Sequence, residues 1–212
     1  LNVLADYIPK TERVITIEDS AELQIHGIEN LVRMEVRQAD GDGVSNVTLR
    51  DLIRTSLRMR PDRIIVGEVR GEEALDMIQS MNTGHDGSLS TGHANSPQDM
   101  LSRLETMALF ASDIPIQAIR KQIASSIDII VQLERLRDRS RRVTAIAEVL
   151  DCTEDAYILN PIFEFHEQDN LVMESSSYGD IPERVVGQLE RTGYHLMHRR
   201  KLHAAALESA EI

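Results

Sequence analysis

A glutamate at the end of a short apolar run is the residue of this sequence with the clearest chemical use. The run Ile64–Val66 is apolar, Gly67 follows it, and Glu68 and Arg70 come next. A buried strand with this ending brings one carboxylate to a phosphate site. Phosphoryl transfer depends mainly on positioning and charge stabilisation, so we predict that Glu68 polarises an attacking water. The alternative is a strand-end acid that pairs with Arg70.

Two further acids follow a second apolar run. Arg13–Ile17 is rich in β-branched residues and predicts a buried strand, and Glu18 and Asp19 come directly after it. Open α/β sheets bind their ligands at the carboxyl ends of strands. Paired acids at such a place can orient Mg²⁺ and water, because Mg²⁺ is usually held by one or two carboxylates together with phosphates and waters. A solvated turn after the strand is the alternative.

Two histidines flank a third short strand, which is predicted over Gly87–Thr91. His85 precedes this strand and His93 follows it, among small residues that let the backbone approach a ligand. A neutral imidazole can hydrogen-bond a γ-phosphate or a water. A zinc-dependent hydrolase built on the two histidines is an alternative, although Asp86 is the only other close ligand and no cysteine is near.

Arginines are dense around Glu68. They can supply positive charge to a phosphate, either within the chain or from a neighbouring subunit. The alternative is a solvated helix face balanced by acids. The arginines concerned are Arg33, Arg37, Arg50, Arg54, Arg58, Arg60, Arg63 and Arg70.

A motif that such a sheet needs is missing from these 212 residues. The sequence contains no G-x-x-x-x-G-K-[ST], the loop whose backbone cradles nucleotide phosphates. The clusters therefore predict the catalytic part of a nucleotide hydrolase without the loop that grips the nucleotide.

Composition narrows the partners of the chain. The net charge is −12 and only 3% of residues are aromatic, with no Trp, which disfavours nucleic acid as a partner. No apolar stretch approaches the roughly 18–20 residues of a membrane span. The single cysteine, Cys152, fits a reducing cytosolic setting.

Alternating strands and helices must position these clusters. Thr48 is the predicted N-cap of one helix, with Asp51 as its capping-box partner. The alternation predicts an α/β domain with a mostly parallel sheet and helices on both faces. The predicted strands are Arg13–Ile17, Leu31–Arg37, Ile64–Val66 and Gly87–Thr91, and the predicted helices are Leu1–Ile8, Leu49–Arg58, Glu72–Asn82, Asp99–Phe110 and Ile114–Ser126.

A β-hairpin annex is predicted after these helices. Ile127–Leu133 and Val143–Leu150 form its two strands, and Tyr157–Phe165 is a further strand. Pro161 lies within that last strand and indicates an edge position, because proline cannot donate to a sheet ladder.

The composition changes after residue 166. Ile181–Thr192 predicts a short helix, and His195–Leu207 predicts a basic helix or tail. We therefore divide the chain into an α/β domain at residues 1–166 and a helical tail at residues 167–212.

Taken in this order, the clusters resemble the secretion ATPase superfamily of type II and type IV secretion and pilus motors. Glu18-Asp19 is similar to the Asp box of that superfamily, Ile64–Glu68 to its Walker B motif, and Thr83–Asn95 to its His box. The resemblance covers residues 1–165 and is greatest to the CpaF-type ATPases of tight-adherence (Tad/Flp) pili. It implies a RecA-like P-loop NTPase fold.

The resemblance also implies roles for individual residues. It implies Glu68 as the general base, Glu18 as support for Mg²⁺ and water, and His93 as a contact to the γ-phosphate. Glu18 and Glu68 would then contact Mg²⁺ indirectly. Further candidates for charge stabilisation, nucleotide contact or inter-subunit contact are Arg58, Arg60, Arg70, His85 and Asp19.

Members of the superfamily are cytoplasmic hexamers that work at the inner membrane. The resemblance therefore implies ATP and Mg²⁺ as cofactors and peripheral association with the inner membrane. It implies further copies of the chain and an inner-membrane platform protein as partners. The implied function is a motor for pilus assembly or protein secretion.

Two features depart from the family pattern. Leu1–Leu4 resembles the helix that follows the Walker A loop, so we expect a truncated chain that lacks this loop and the N-terminal domain. Gly92 precedes His93, where many relatives carry a β-branched residue. Because the loop that binds the β- and γ-phosphates is missing, we expect little or no ATPase activity from the chain alone. The alternative function is a non-catalytic module that docks on intact motor subunits.

Overall fold

The computed structural model describes residues 1–39, 45–168 and 184–199. The chain divides into two compact units. The first comprises Leu1–Asn95 and Asp99–Ser126, and the second comprises Ser96–Gln98 and Ile127–Ile212. Within the described residues, every helix is too short or too polar to cross a membrane.

A parallel sheet lies at the centre of the first unit. Its two central strands are mostly apolar, and all of their Ile and Val side chains are buried. Side chains buried on both faces of a strand are typical of parallel sheets, which are covered on both faces. The strands are β1 (Arg13–Glu18), β2 (Asn30–Glu35), β3 (Arg63–Val66) and β4 (Leu89–Ser90), in the order β2-β1-β3-β4.

Helices connect and follow these strands, close to the predicted positions except at the start of the chain, where the helix predicted over Leu1–Ile8 is limited to Asn2–Ala5. Each of the longer ones buries an apolar side, with Ile53, Ile78, Leu101 and Ile119 fully covered. The helices are α1 (Asn2–Ala5), α2 (Leu49–Ser56), α3 (Glu73–Met81), α4 (Pro97–Ala111) and α5 (Ile116–Ser126), with a 3₁₀ turn at Leu57–Met59.

Helix α2 begins with the predicted capping box. The Thr48 hydroxyl accepts the N–H of Asp51 at 3.3 Å, and the Asp51 carboxylate accepts the N–H of Thr48 at 3.0 Å. The backbone N–H and the hydroxyl of Thr48 hold the pKa of the Asp51 carboxyl below its usual value. Both groups satisfy donors that a helix start would otherwise leave open.

Ion pairs link α2 to α3. The nearly buried Asp76 accepts hydrogen bonds from Nε of Arg50 and Nε of Arg54, each at 2.7 Å. Arg50 also reaches Glu72 at 2.9 Å, and its hydrogen bond to Asp76 raises the pKa of its guanidinium. Arg50 and Arg54 therefore match the alternative interpretation of the arginines, a helix face balanced by acids.

An antiparallel sheet forms the second unit, as the predicted annex requires. Its order is β5-β6-β7-β8, and register shifts interrupt the pairing of β6 with both of its neighbours. The strands are β5 (Ile129–Arg135), β6 (Arg141–Cys152), β7 (Tyr157–Glu167) and β8 (Gly187–Arg191).

Two predictions for this region are wrong. Pro161 does not mark an edge strand, because β7 pairs with β6 on one side and with β8 on the other. The register shift between Ile146 and Ala147 lies opposite this proline, and an irregular ladder tolerates a residue without an N–H.

The helix predicted over Ile181–Thr192 is also wrong in its described part. Gly187–Arg191 is strand β8, whose backbone pairs with Phe163–Glu167. Tertiary pairing with β7 overrides a weak local helix preference. Of the predicted basic helix or tail, residues 195–199 are irregular and the remainder lies outside the described residues. The division of the chain at residue 167 stays a prediction.

A buried carboxylate attaches the segment after β8 to this sheet. Glu148 on β6 accepts the N–H of Met197 at 2.9 Å, the N–H of His198 at 2.7 Å and the side-chain amide of Asn160 at 2.9 Å. Burial opposes ionisation of Glu148, but these three donors outweigh it and hold the pKa of the carboxyl below its usual value. Protein N–H groups thus take the place of water as hydrogen-bond donors to this buried carboxylate.

The first prediction concerns the link between α2 and α3. Asp76→Ala leaves two guanidinium groups without their shared carboxylate. Because both arginines keep contact with water, we expect a loss of about 1–2 kcal/mol in the free energy of unfolding, measured by urea denaturation. The exposed Glu29→Ala is the control and should stay near wild type. Equal stability of the two variants would contradict the link.

The second prediction concerns acid sensitivity. A carboxyl whose pKa is lower in the folded state stabilises the fold above its unfolded pKa, and this contribution is lost as the pH falls through the folded pKa. We expect Glu148→Gln to lower the free energy of unfolding by about 2 kcal/mol at pH 7 and by less at acidic pH. Denaturation at pH 7 and near pH 3.5 measures both values. The exposed Glu164→Gln is the control, and a deficit independent of pH would contradict the prediction.

Candidate active site

The carboxyl ends of the parallel strands gather the predicted acids and one histidine at one edge of the sheet. Ile17 on β1 lies opposite Val66 on β3, so the residues that follow them leave the sheet side by side. Glu18 ends β1, and Glu68 comes two residues after β3. His93 follows β4, the next strand across.

Glu18 is held rigidly at this edge. The residue is only 5% exposed, and its Oε1 accepts the N–H of Glu22 at 2.9 Å and the N–H of Leu23 at 2.8 Å. A Cβ atom placed on Gly67 would lie 3.1 Å from Cγ of Glu18. A side chain at position 67 would therefore meet the Glu18 side chain, which would have to shift by a few tenths of an ångström to make room.

Glu68 is more open and lies next to the imidazole of His93. Oε1 of Glu68 is 3.4 Å from Nε2 of His93, and the two side chains are 38% and 81% exposed. An accessible carboxylate beside an imidazole can accept a proton from a water. The structure thus brings together the three residues predicted as catalytic: Glu18, Glu68 and His93.

Thr91 fixes the backbone on both sides of Glu68. Its hydroxyl donates to the carbonyl of Gly67 at 2.5 Å, and its carbonyl accepts the N–H of Val69 at 2.9 Å. On the other side, the N–H of Gly67 donates to the carbonyl of Ile17 at 2.9 Å. These bonds tie the residues around Glu68 to both neighbouring strands.

An ion pair crosses the same edge. Nη2 of Arg70 contacts Oδ2 of Asp19, and both side chains are about half exposed. The ion-pair partner of Arg70 is therefore Asp19, whereas the alternative interpretation of Glu68 requires a pair between Arg70 and Glu68. Asp19 follows Glu18 directly and Arg70 lies two residues after Glu68, so their pair connects the two segments that carry these carboxylates.

Three of the predicted residues lie at the opposite edge of the sheet. Arg58 and Arg60 flank Met59, whose carbonyl accepts Nε–H of Arg13 at the start of β1. His85 lies near the amino ends of β3 and β4, where Ser88 bonds both the carbonyl of His85 and the N–H of Ile64. The chain by itself does not bring these three residues to Glu68.

The zinc interpretation fails on this geometry. His85 and His93 lie at opposite ends of β4, and in the described parts of the chain no group of three His, Cys, Asp or Glu residues is placed to hold a metal. A Mg²⁺ site needs fewer protein ligands, since one or two carboxylates with phosphates and waters suffice. Glu18 and Glu68 on adjacent strands fit that requirement.

Two residues of this site escaped the sequence interpretation. Thr91 lies inside the predicted His box but has no chemical signature of its own. Glu73 begins α3 and is buried at 8% exposure, and its carboxylate accepts the N–H of Arg70. An acidic residue in the first turn of a predicted helix was the available signal, but it normally indicates only helix capping.

Comparison with known proteins shows which family this chain belongs to. The sequence profile of the family described as "Type II/IV secretion system protein" matches residues 1–176. The chain belongs to this family. The superfamily resemblance proposed from the motifs is therefore confirmed, whereas the CpaF-type branch stays a prediction.

Relatives and a solved structure agree with this family. The chain is 36% identical over 145 residues to the type IV secretion system protein PtlH of Bordetella pertussis, covering 67% of this chain and 43% of PtlH. It is 39% identical over 138 residues to the type IV secretion system protein VirB11 of Bartonella quintana, covering 62% of this chain and 37% of that protein.

The crystal structure of the VirB11 ATPase from the Brucella suis type IV secretion system, in complex with sulphate, is similar with a TM-score of 0.62 and 32% identity. The similarity covers 69% of this chain and 43% of that one. The predicted α/β, RecA-like fold is thereby confirmed. The chain spans only 37–43% of the length of these three proteins.

The third prediction tests the close approach of Gly67 to Glu18. Gly67→Ala places a methyl group against the Glu18 side chain and should displace it from the N–H groups of Glu22 and Leu23. We expect faster hydrogen exchange at both amides and a loss of about 1–2 kcal/mol in the free energy of unfolding. Gly193→Ala is the control, because no atom lies within 4 Å of that Cβ position. Unchanged exchange at Glu22 and Leu23 would contradict the prediction.

Proposed function

We propose that this chain is the catalytic part of an ATP-hydrolysing motor for protein secretion or pilus assembly. The observation that carries the proposal is the placement of Glu18 and Glu68 at the carboxyl ends of adjacent parallel strands, with His93 beside Glu68. Membership of the secretion family supports it, because the family includes an ATPase with the same fold.

The proposed roles follow from how each side chain is held. Glu68 is accessible and 3.4 Å from His93, which suits a general base that accepts a proton from the attacking water. Glu18 is buried and bonded to two backbone N–H groups, which suits a fixed support for Mg²⁺-bound water. His93 is mostly exposed, which suits a contact to the γ-phosphate.

Mg²⁺ would neutralise charge on the ATP phosphates. Glu18 and Glu68 would hold the Mg²⁺ through water, because both carboxylates lie at the same edge of the sheet. The Asp19–Arg70 pair places a cation beside this edge, and we propose that it stabilises charge there. The phosphate-cradling loop, absent as a motif from these 212 residues, must complete the site.

The proposal extends to the assembly. We propose a homo-hexamer of the CpaF type, located in the cytoplasm, peripheral to the inner membrane and coupled to a membrane platform protein. Arg58 and Arg60 lie away from Glu68 within this chain, so we propose inter-subunit contact as their role. His85 is left out of the proposed site, because its imidazole bonds the carbonyl of Ser80 at 3.1 Å.

The fourth prediction tests Glu68 as the base. We expect Glu68→Gln to reduce kcat for MgATP at least a hundredfold, because the amide cannot accept the proton of the attacking water. The measurement is steady-state phosphate release by a form of the protein that contains the phosphate-binding loop. Glu29→Gln is the matched control: it alters an exposed acid just before β2 and should keep wild-type turnover.

Two outcomes would overturn the proposal. Turnover by Glu68→Gln within threefold of wild type would exclude the glutamate as the base. A folded wild-type protein with the complete loop and no turnover would favour the alternative of a non-catalytic module that docks on motor subunits.

A further inference from the structure

Glu73 is a buried carboxylate whose hydrogen bonds point away from its own helix. Glu72 occupies the N-cap of α3 without a side-chain capping bond, and Glu73 is the first helical residue. Oε1 of Glu73 accepts the N–H of Arg70 at 2.7 Å and the N–H of Gly71 at 2.9 Å. The Glu73 carboxylate therefore accepts hydrogen bonds from the turn that precedes α3.

That turn, residues 67–71, carries Glu68 and Arg70. Its first half is tied to β1 and to Thr91 through the backbone of Gly67 and Val69. In its second half, Glu73 accepts the backbone N–H groups of Arg70 and Gly71. The Arg70 side chain pairs with Asp19, and the carbonyl of Gly71 accepts the N–H of Ala74. Removal of the Glu73 carboxylate would therefore leave the N–H groups of Arg70 and Gly71 without their acceptor and loosen the backbone at this end of the turn.

Gly71 leaves room for this contact. A Cβ atom on Gly71 would lie 3.0 Å from Oε2 of Glu73, closer than side-chain atoms normally approach. A methyl group at this position would make the carboxylate shift by a few tenths of an ångström relative to the two N–H groups. Gly71 therefore lets the carboxylate of Glu73 approach the turn closely.

We propose that Glu73 is a positioning residue that fixes the turn of residues 67–71 and thereby the direction of Glu68. The role rests on the proposed function, since positioning matters only if Glu68 reacts. Glu73 acts through backbone atoms. A displacement of about 1 Å at a reacting group can cost about a hundredfold in rate, so a remote carboxylate of this kind can control kcat.

The burial of Glu73 supports this role over a general contribution to stability. A carboxylate at 8% exposure needs partners, and its two strong donors both belong to the turn. Asp76, three residues further along α3, is buried to a similar degree but pairs with Arg50 and Arg54 instead. Substitution of Glu73 therefore tests the positioning of the turn, whereas substitution of Asp76 tests the stability of the helix packing.

The fifth prediction uses this pair of acids. In the 212-residue chain, we expect Glu73→Ala to accelerate hydrogen exchange at the amides of Arg70 and Gly71 at least tenfold. Glu73→Gln should retain most of the protection, because its carbonyl oxygen can still accept both bonds. Asp76→Ala is the matched control and should leave exchange at these two amides unchanged while lowering stability.

Turnover supplies the second measurement. In a form that contains the phosphate-binding loop, we expect Glu73→Ala to lower kcat for MgATP tenfold to a hundredfold while KM changes less than threefold. Glu73→Gln should restore kcat to within threefold of wild type. If Glu73→Ala does not fold, Gly71→Ala displaces the same carboxylate and should show the same pattern.

The outcomes separate this inference from the proposed function. Unchanged exchange at Arg70 and Gly71 in Glu73→Ala would overturn the positioning role outright. Faster exchange with wild-type kcat, beside an inactive Glu68→Gln, would also overturn it. Full turnover by Glu68→Gln would overturn the proposed function instead, whatever Glu73→Ala does to the exchange of the turn.

Discussion

The parallel pairing of β1 with β3 is the constraint on which the candidate site depends. Ile17 lies opposite Val66, so both strands end at the same level and their following residues leave the sheet together. If either strand ran in the opposite direction, Glu18 and Glu68 would lie at opposite edges. Apolar residues without chemical function thus determine where the carboxylates meet, because burial on both faces keeps β1 and β3 at the centre of the sheet.

Several carboxylates near one edge repel one another unless each has a partner. The structure solves this separately for each acid. Glu18 accepts backbone N–H groups, Asp19 pairs with Arg70, and Glu73 accepts the N–H groups of the turn before α3. Glu68 is left accessible with an imidazole beside it. Glu68 thus stays accessible for the proton transfer that we propose for it.

In the second unit, a buried carboxylate that is partnered by protein donors has a structural role. Glu148 is buried in β6, and protein donors from Asn160, Met197 and His198 replace its water. The segment after β8 is held mainly through its backbone N–H groups, and Nδ1 of His198 also lies 3.5 Å from Oε1 of Glu148. Family membership accounts for residues 1–176, and the relatives described above extend well beyond the length of this chain.

The sequence by itself determined the strands β1 and β3, the capping box at Thr48 and the three motifs, because burial patterns, caps and strand-end acids are encoded within a few neighbouring residues. It also predicted that Glu18, Glu68 and His93 belong together, since parallel strands share an edge. Only the tertiary structure decided that Arg70 pairs with Asp19, that Arg58, Arg60 and His85 lie at the other edge, and that Glu73 supports the turn. Only it decided that Gly187–Arg191 is a strand and that Pro161 lies within a paired strand. These outcomes depend on contacts between residues distant in the chain, and local periodicity carries no information about which partner a charged side chain or an open strand edge will find.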